Sequence, residues 1–185
     1  MRLFIAVEPG ERFVQAALAA QKRLKRSCAD VKWTEPDSMH FTLHFLGEVP
    51  EERLAAVEKA LESVAAFPAF EVFLGDAGRF PPQGAPKVLW LGVEDRASDM
   101  RSLAELLGSA LKAEGFATEV RLFVPHLTLG RVRGPRGMKE LLSGMAGLAV
   151  PPERPSLKVS SVELIKSELR PEGALYTVLK SVKLK

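Results

Sequence analysis

The sequence predicts an α+β fold: a bilobal, pseudo-two-fold duplication whose mostly antiparallel sheets line a central cleft, with helices on the outside. Three observations carry that expectation. Shifted by 86 residues, the chain falls on itself: RLFIAVE (2–8) lands on VLWLGVE (88–94), and HFTL (40–43) lands on HLTL (126–129). Apolar strand-like runs follow one another without a helix between each, which argues against a parallel doubly wound sheet. The joins GDAGRFPPQGAPK and GLAVPPERP are rich in Gly and Pro but too short for flexible linkers. Residues 1–185 therefore read as one bilobal domain, with a first half 1–80 and a second half 81–185 that exchange terminal strands.

Each element has its own signal. RLFIAV is a short apolar strand before the turn EPGER. From Glu11 to Arg26 the spacing of Phe13, Ala17, Leu18 and Leu24 predicts an amphipathic helix. VKWTEPDSM reads as a loop. HFTLHFLG is rich in β-formers and stopped by Gly47. EVPEERLAAVEKALESVAA is a helix, with Pro50 near its start and acidic residues in its first turn. AFEVFLG follows as a strand. In the second half, residues 96–114 repeat the first helix, PSLKV (155–159) echoes PAFEV (68–72) one residue off the 86-residue register, and GALYTVLKSVKL comes last as an alternating strand.

Composition narrows the class. The 185 residues suffice for one full core, and 46% hydrophobic with 26% charged residues is ordinary for a globular domain. No apolar run reaches the ~20 residues of a membrane span. The first apolar stretch is too short for a secretion signal. The lone Cys28 rules out an intramolecular disulfide and fits a reducing compartment. A cytoplasmic monomer is the expectation, with a net charge of +3 leaning weakly towards an anionic partner. Asparagine is absent, which fits a hot habitat or a genomic bias.

The chemistry lies in the histidines. All three sit in the two matched motifs, as His40, His44 and His126. On a strand alternate residues share a face, so His40, Thr42 and His44 point one way while Phe41, Leu43 and Phe45 point the other. His126 and Thr128 share a face likewise. Two such faces across a pseudo-two-fold cleft would gather two imidazoles and two hydroxyls. That set suits attack on phosphorus: one neutral imidazole takes a proton, and the other, protonated, gives one to the leaving oxygen. Thr42 and Thr128 would donate hydrogen bonds to non-bridging oxygens as charge builds there. A zinc site is disfavoured, because strand positions four apart lie roughly 13 Å from one another and no cysteine ligand is at hand. No cofactor is expected. His44 has glycine as its counterpart, so it is a cleft-side contact at most.

These motifs resemble the two-histidine (2H) phosphoesterase family, and within it the RNA 2′,3′-cyclic phosphodiesterases also called 2′-5′ RNA ligases. The resemblance rests on MRLFIAV, VKWTEPDSMH, HFTLHFLG, GRFPPQGAPKVLW and LIKSELRPEGALYTVL, and so spans nearly the whole chain. It implies hydrolysis of a 2′,3′-cyclic phosphate on an RNA end to a 2′-phosphomonoester, with reversible 2′-5′ ligation as a secondary capability. It implies His40 as proton donor and His126 as proton acceptor; the residues alone are symmetric between those roles. Arg131 matches a family arginine that pairs with phosphate. Strand parity sets it on the wrong face, so contact requires a bulge or strand end near Gly130. Arg133 and Arg136 would guide the RNA backbone. Phe80 and Tyr176 are candidates to stack on a base, whereas Trp33 and Trp90 read as core. The competing readings are a phosphodiesterase for small cyclic nucleotides or ADP-ribose cyclic phosphate, and a non-catalytic RNA-binding module.

Overall fold

The computed structural model describes residues 1–94, 98–118, 122–149, 153–170 and 173–185. Nine strands and four helices are found among them: β1 (Arg2–Val7), α1 (Gly10–Leu24), β2 (Val31–Trp33), β3 (Phe41–Glu48), α2 (Leu54–Glu62), β4 (Phe70–Phe80), β5 (Val88–Glu94), α3 (Asp99–Ala113), β6 (His126–Val132), α4 (Met138–Ala146), β7 (Ser156–Val159), β8 (Ser161–Arg170) and β9 (Gly173–Lys183). They form two sheets in the orders β3-β1-β8-β9 and β2-β6-β5-β4-β7. Every pairing is antiparallel.

The 86-residue shift is written into the topology. It maps β1 onto β5, β3 onto β6, and β4 onto the β7–β8 run. The short ladder between β4 and β7 maps onto itself. Phe70 pairs with Val159 and Phe73 with Ser156, and adding 86 to each first-half residue turns one pair into the other. The pseudo-two-fold axis therefore passes through this ladder. Residues 70–73 and 156–159 are counterparts and also neighbours.

Helices close the outer faces. Helix α1 packs on β6, β7 and α4, while α2 packs on α3, β8 and β9, and α3 also meets β3. Phe13 of α1 meets Phe41 of β3 edge-on, with ring centroids 5.6 Å apart. One apolar core runs through both sheets, with Leu3, Ile5, Phe41, Leu89, Leu91 and Leu127 fully or almost fully buried. A separate small cluster of Phe4, Ala6 and Ile165, with Tyr176 packed against it, lies on the opposite face of the first sheet. That face looks into the cleft. No helix among the described residues is long and apolar enough to cross a membrane.

Two expectations about local structure change. VKW is not loop but the edge strand β2, paired with β6 through Trp33 and Gly130. Gly130 makes this possible, since a side chain there would meet Val31 Cγ1 at 2.7 Å and the Lys32 carbonyl at 3.0 Å. GDAGRF is likewise strand, continuing β4 to Phe80, and only the residues after it form the join to β5. Its glycines admit a close neighbour rather than a turn. Gly78 stands opposite Trp90, whose indole lies flat across it.

Candidate active site

The two histidines stand at matching places, His40 just ahead of β3 and His126 as the first residue of β6. Strands β3 and β6 pack against one another although they belong to different sheets. Each imidazole is tied to the carbonyl two residues upstream. His126 Nδ1–H donates to Val124 O at 2.7 Å, and a ring N–H of His40 donates to the Ser38 carbonyl. In neutral His126 this tautomer leaves the Nε2 lone pair free to accept a proton.

Aromatic rings hold each imidazole in the same way. Phe4 of β1 stacks on His40 with centroids 4.5 Å apart, and Tyr176 of β9 meets it edge-on at 5.3 Å. Trp90, the counterpart of Phe4, lies 6.0 Å from His126, and Phe80 meets that ring edge-on at 5.0 Å. Trp90 therefore belongs to the cleft and not to the core that the sequence suggested for it; its neighbours Leu89 and Leu91 face the core instead. Trp33 does pack against the core. Phe80 and Tyr176, expected to stack on a base, stand beside the two histidines, and Phe80 also lines the cavity next to them.

A β-bulge follows each motif, at matching leucines. Ile5 pairs with His44 and Ala6 with Thr42, leaving Leu43 as the extra residue. Leu89 pairs with Gly130 and Trp90 with Thr128, leaving Leu129 extra. A bulge resets strand alternation, so Arg131 comes to the cleft side despite its parity with the core-facing residues. It lies exposed beside the histidines, and its charge acts on both. The same reset overturns the expected directions of His44 and Phe45: His44 comes opposite core-facing Ile5, off the face that carries His40 and Thr42, and Phe45 takes the cleft side. That ring is 47% exposed, lies opposite Phe4 in the ladder, and carries the Arg2 guanidinium 5.0 Å from its centroid.

A cavity of about 1020 Å³ opens beside these residues, lined by Thr42, His44, Phe45, His126 and Arg131 together with the inner side of α3. His40 and Thr128 are outside that lining, but the charges of His126 and Arg131 are felt at His40, so these three groups share one field. His44 serves another purpose. Its Nε2–H donates to the Ala104 carbonyl at 2.7 Å, and its ring lies against Gly108, where a methyl group would sit 3.0 Å from Cε1. It clamps β3 to α3 and shapes the cavity wall. Arg133 and Arg136 are exposed beyond the end of β6.

Burial sets the ionisation of the pair. It holds the His40 imidazole down at about 4; the hydrogen bond to Ser38 opposes this, and the His126 and Arg131 charges reinforce it. Burial also lowers His126 below its ordinary value, opposed by the Val124 carbonyl and aided by Arg131. Both rings are thus neutral in the empty cleft at neutral pH. Two imidazoles, each tied to an upstream carbonyl, with Thr42 and Arg131 beside the same cavity, form an arrangement able to take and give protons next to a positive charge.

The fold and the sequence give that arrangement its class. A family model described as LigT-like phosphoesterase matches residues 7–90 and again residues 91–176, one match for each half. The chain belongs to the LigT-like phosphoesterase family. It is 37% identical over 185 residues to the RNA 2′,3′-cyclic phosphodiesterase of Methanothermobacter thermautotrophicus, covering 100% of this chain and 99% of that protein. It is 34% identical to the enzyme of the same name from Thermotoga maritima, covering 97% and 93%. Among solved structures, TT0787 of Thermus thermophilus superposes with a TM-score of 0.79 at 31% identity, covering 99% of this chain and 97% of that one. E. coli LigT complexed with 3′-AMP superposes with a TM-score of 0.75 at 25% identity and the same coverage.

Proposed function

We infer that this protein is an RNA 2′,3′-cyclic phosphodiesterase, a hydrolase that opens a terminal cyclic phosphate to the 2′-phosphomonoester by acid/base catalysis between two histidines. The observation that carries the reading is the matched pair of imidazoles, each tied by one nitrogen to an upstream carbonyl. Neutral His126 removes a proton from water as the water oxygen attacks phosphorus. The P–O3′ bond breaks, and protonated His40 delivers its proton to O3′. The phosphate remains on O2′. Hydroxyls of Thr42 and Thr128 donate to the non-bridging oxygens, and the Arg131 guanidinium offsets their charge.

The depressed value of His40 fits this sequence of events. Its cation is disfavoured in the empty cleft and becomes favourable once an anionic phosphodiester sits beside it and screens Arg131. The acid thus forms where the leaving oxygen is. His40→Ala and His126→Ala should each lower hydrolysis of an oligonucleotide 2′,3′-cyclic phosphate by about 10²-fold or more, the usual worth of a positioned acid or base. Circular dichroism should remain that of the wild type, and EDTA should leave wild-type turnover intact. Full activity in either folded variant rules out the two-histidine mechanism.

A further inference from the structure

The cavity is larger than the chemistry at the histidines requires. A volume of about 1020 Å³ stands at the top of the ~300–1,000 Å³ range of ligand pockets, while a ribose with its cyclic phosphate would fill only part of it. Its remaining walls have a consistent character. Phe45, Leu122 and Val124 line it with exposed apolar surface, at 47%, 69% and 37% exposure. Exposed apolar residues gathered in one concavity mark a binding surface. Along α3 the residues Ala104, Gly108 and Lys112 face the cavity at helical spacing. The first two are small and let the helix approach His44, and the third reaches past it. The Lys112 ammonium has no ion-pair partner among the described residues, unlike Lys59 and Lys180. Lys87 and Arg131 add two further cations to the lining, against the single carboxylate of Glu105.

An aromatic plate and an ammonium without an ion-pair partner among the described residues, lining one cavity that also reaches His126 and Arg131, match a base and a backbone phosphate. Resting on the activity inferred above, we propose that this cavity is a subsite for the nucleotide upstream of the cyclic end. Phe45 stacks on a base, and Lys112 holds the phosphate linking that nucleotide to the terminal one. The Arg2 guanidinium behind Phe45 supports the ring in the stacking position. The enzyme would then be built for an RNA end rather than for a free cyclic mononucleotide.

The test compares a nucleoside 2′,3′-cyclic phosphate with a dinucleotide ending in the same cyclic phosphate. Wild type should process the dinucleotide with a kcat/KM about tenfold or more above the mononucleotide, from a charge-assisted contact and a stacked base. Lys112→Ala, on an exposed helix face where alanine is well tolerated, should erase most of that advantage, and Lys112→Arg should restore it. On the dinucleotide, Lys112→Ala should also flatten the plot of log kcat/KM against log salt by about 0.7, the value for one single-strand phosphate contact. Phe45→Ala should reduce the dinucleotide preference by about 5-fold or more. Equal substrate ratios in wild type and Lys112→Ala, or an unchanged salt slope, overturn the subsite while leaving the activity standing. Hydrolysis of neither substrate by wild type overturns the activity, and the subsite with it.

Discussion

Gly78→Ala is a one-methyl change, remote from the reacting atoms, that should disable the enzyme. A Cβ built at this position would lie 2.6 Å from Cζ3 of Trp90 and closer still to Cζ2 and Cη2. Carbon atoms pack at roughly 3.5–4.0 Å, so the indole must move by about an ångström or more. It cannot retreat freely, because the Phe80 ring lies 5.1 Å from it. Phe80 and Trp90 are the rings that border His126, at 5.0 and 6.0 Å. Displacement therefore passes to the proposed base, where an ångström of misplacement costs on the order of 10² in rate. Overpacking itself should cost about 1–3 kcal/mol of stability. The assay is kcat and KM on a cyclic-phosphate oligonucleotide, beside thermal unfolding and the two indole N–H resonances. We expect kcat to fall about 10²-fold with KM little changed, the Trp90 resonance to move, and the protein to stay folded. Adding Trp90→Phe, which removes the overlapping atoms, should return part of the lost rate. Wild-type kcat with a shifted Trp90 resonance would refute the coupling between indole and imidazole.

Two further predictions concern protonation. A folded His40 near 4 against 6.5 in the unfolded chain means that, between those values, only the unfolded state binds this proton. Stability therefore falls as pH drops through that window, by up to about 3 kcal/mol from this group alone. Urea unfolding of His40→Gln between pH 7 and 4 should show a shallower loss than wild type, and an equal loss contradicts the buried neutral ring. Removing the Arg131 cation takes away a charge that lowers both histidines. Arg131→Gln should thus move the kcat/KM–pH profile to higher pH while lowering its maximum, and a shift to lower pH would contradict the shared field.

The parts of the site legible in the sequence are those that the duplication repeats. His40 with Thr42 and His126 with Thr128 come from a scarce residue recurring in register, and the two-sheet fold follows from the same shift. The aromatic supports were legible too, since Phe4 and Trp90 occupy one column of the matched strands RLFIAVE and VLWLGVE. Reading Trp90 as core overlooked that column. What alternation misses is the bulge. Nothing in Thr-Leu-His-Phe departs from a strand pattern, yet the extra residue at Leu43 turns Phe45 into the cleft, as the irregularity expected near Gly130 turns Arg131. Gly130 was the available signal, as a glycine inside a strand pattern points to a bulge or to close backbone approach. Both occur there, the second as the contact with β2.

The two halves match in the proposed catalytic frame, His-x-Thr-Leu, and differ immediately after it. Past the bulged leucine, one half places His44 and Phe45 where the other places Gly130 and Arg131. The difference is chemical as well as steric: one side offers a clamp to α3 and an exposed ring, the other an exposed cation whose charge acts on both imidazoles. A symmetric site would offer a bound phosphoester two equivalent orientations, with acid and base exchanged between them. An RNA end is not symmetric, because a nucleoside leaves the cyclic phosphate on one side and only water approaches on the other. A ring at position 45 and a guanidinium at 131 remove the equivalence by favouring the base beside one strand and the phosphate charge beside the other. The direction of proton transfer proposed above would then rest, as well as on the histidines themselves, on the two residues the bulges turn inward. Exchanging them, as Phe45→Arg with Arg131→Phe, should therefore cost far more kcat than either histidine's supporting ring, although it leaves every imidazole contact in place.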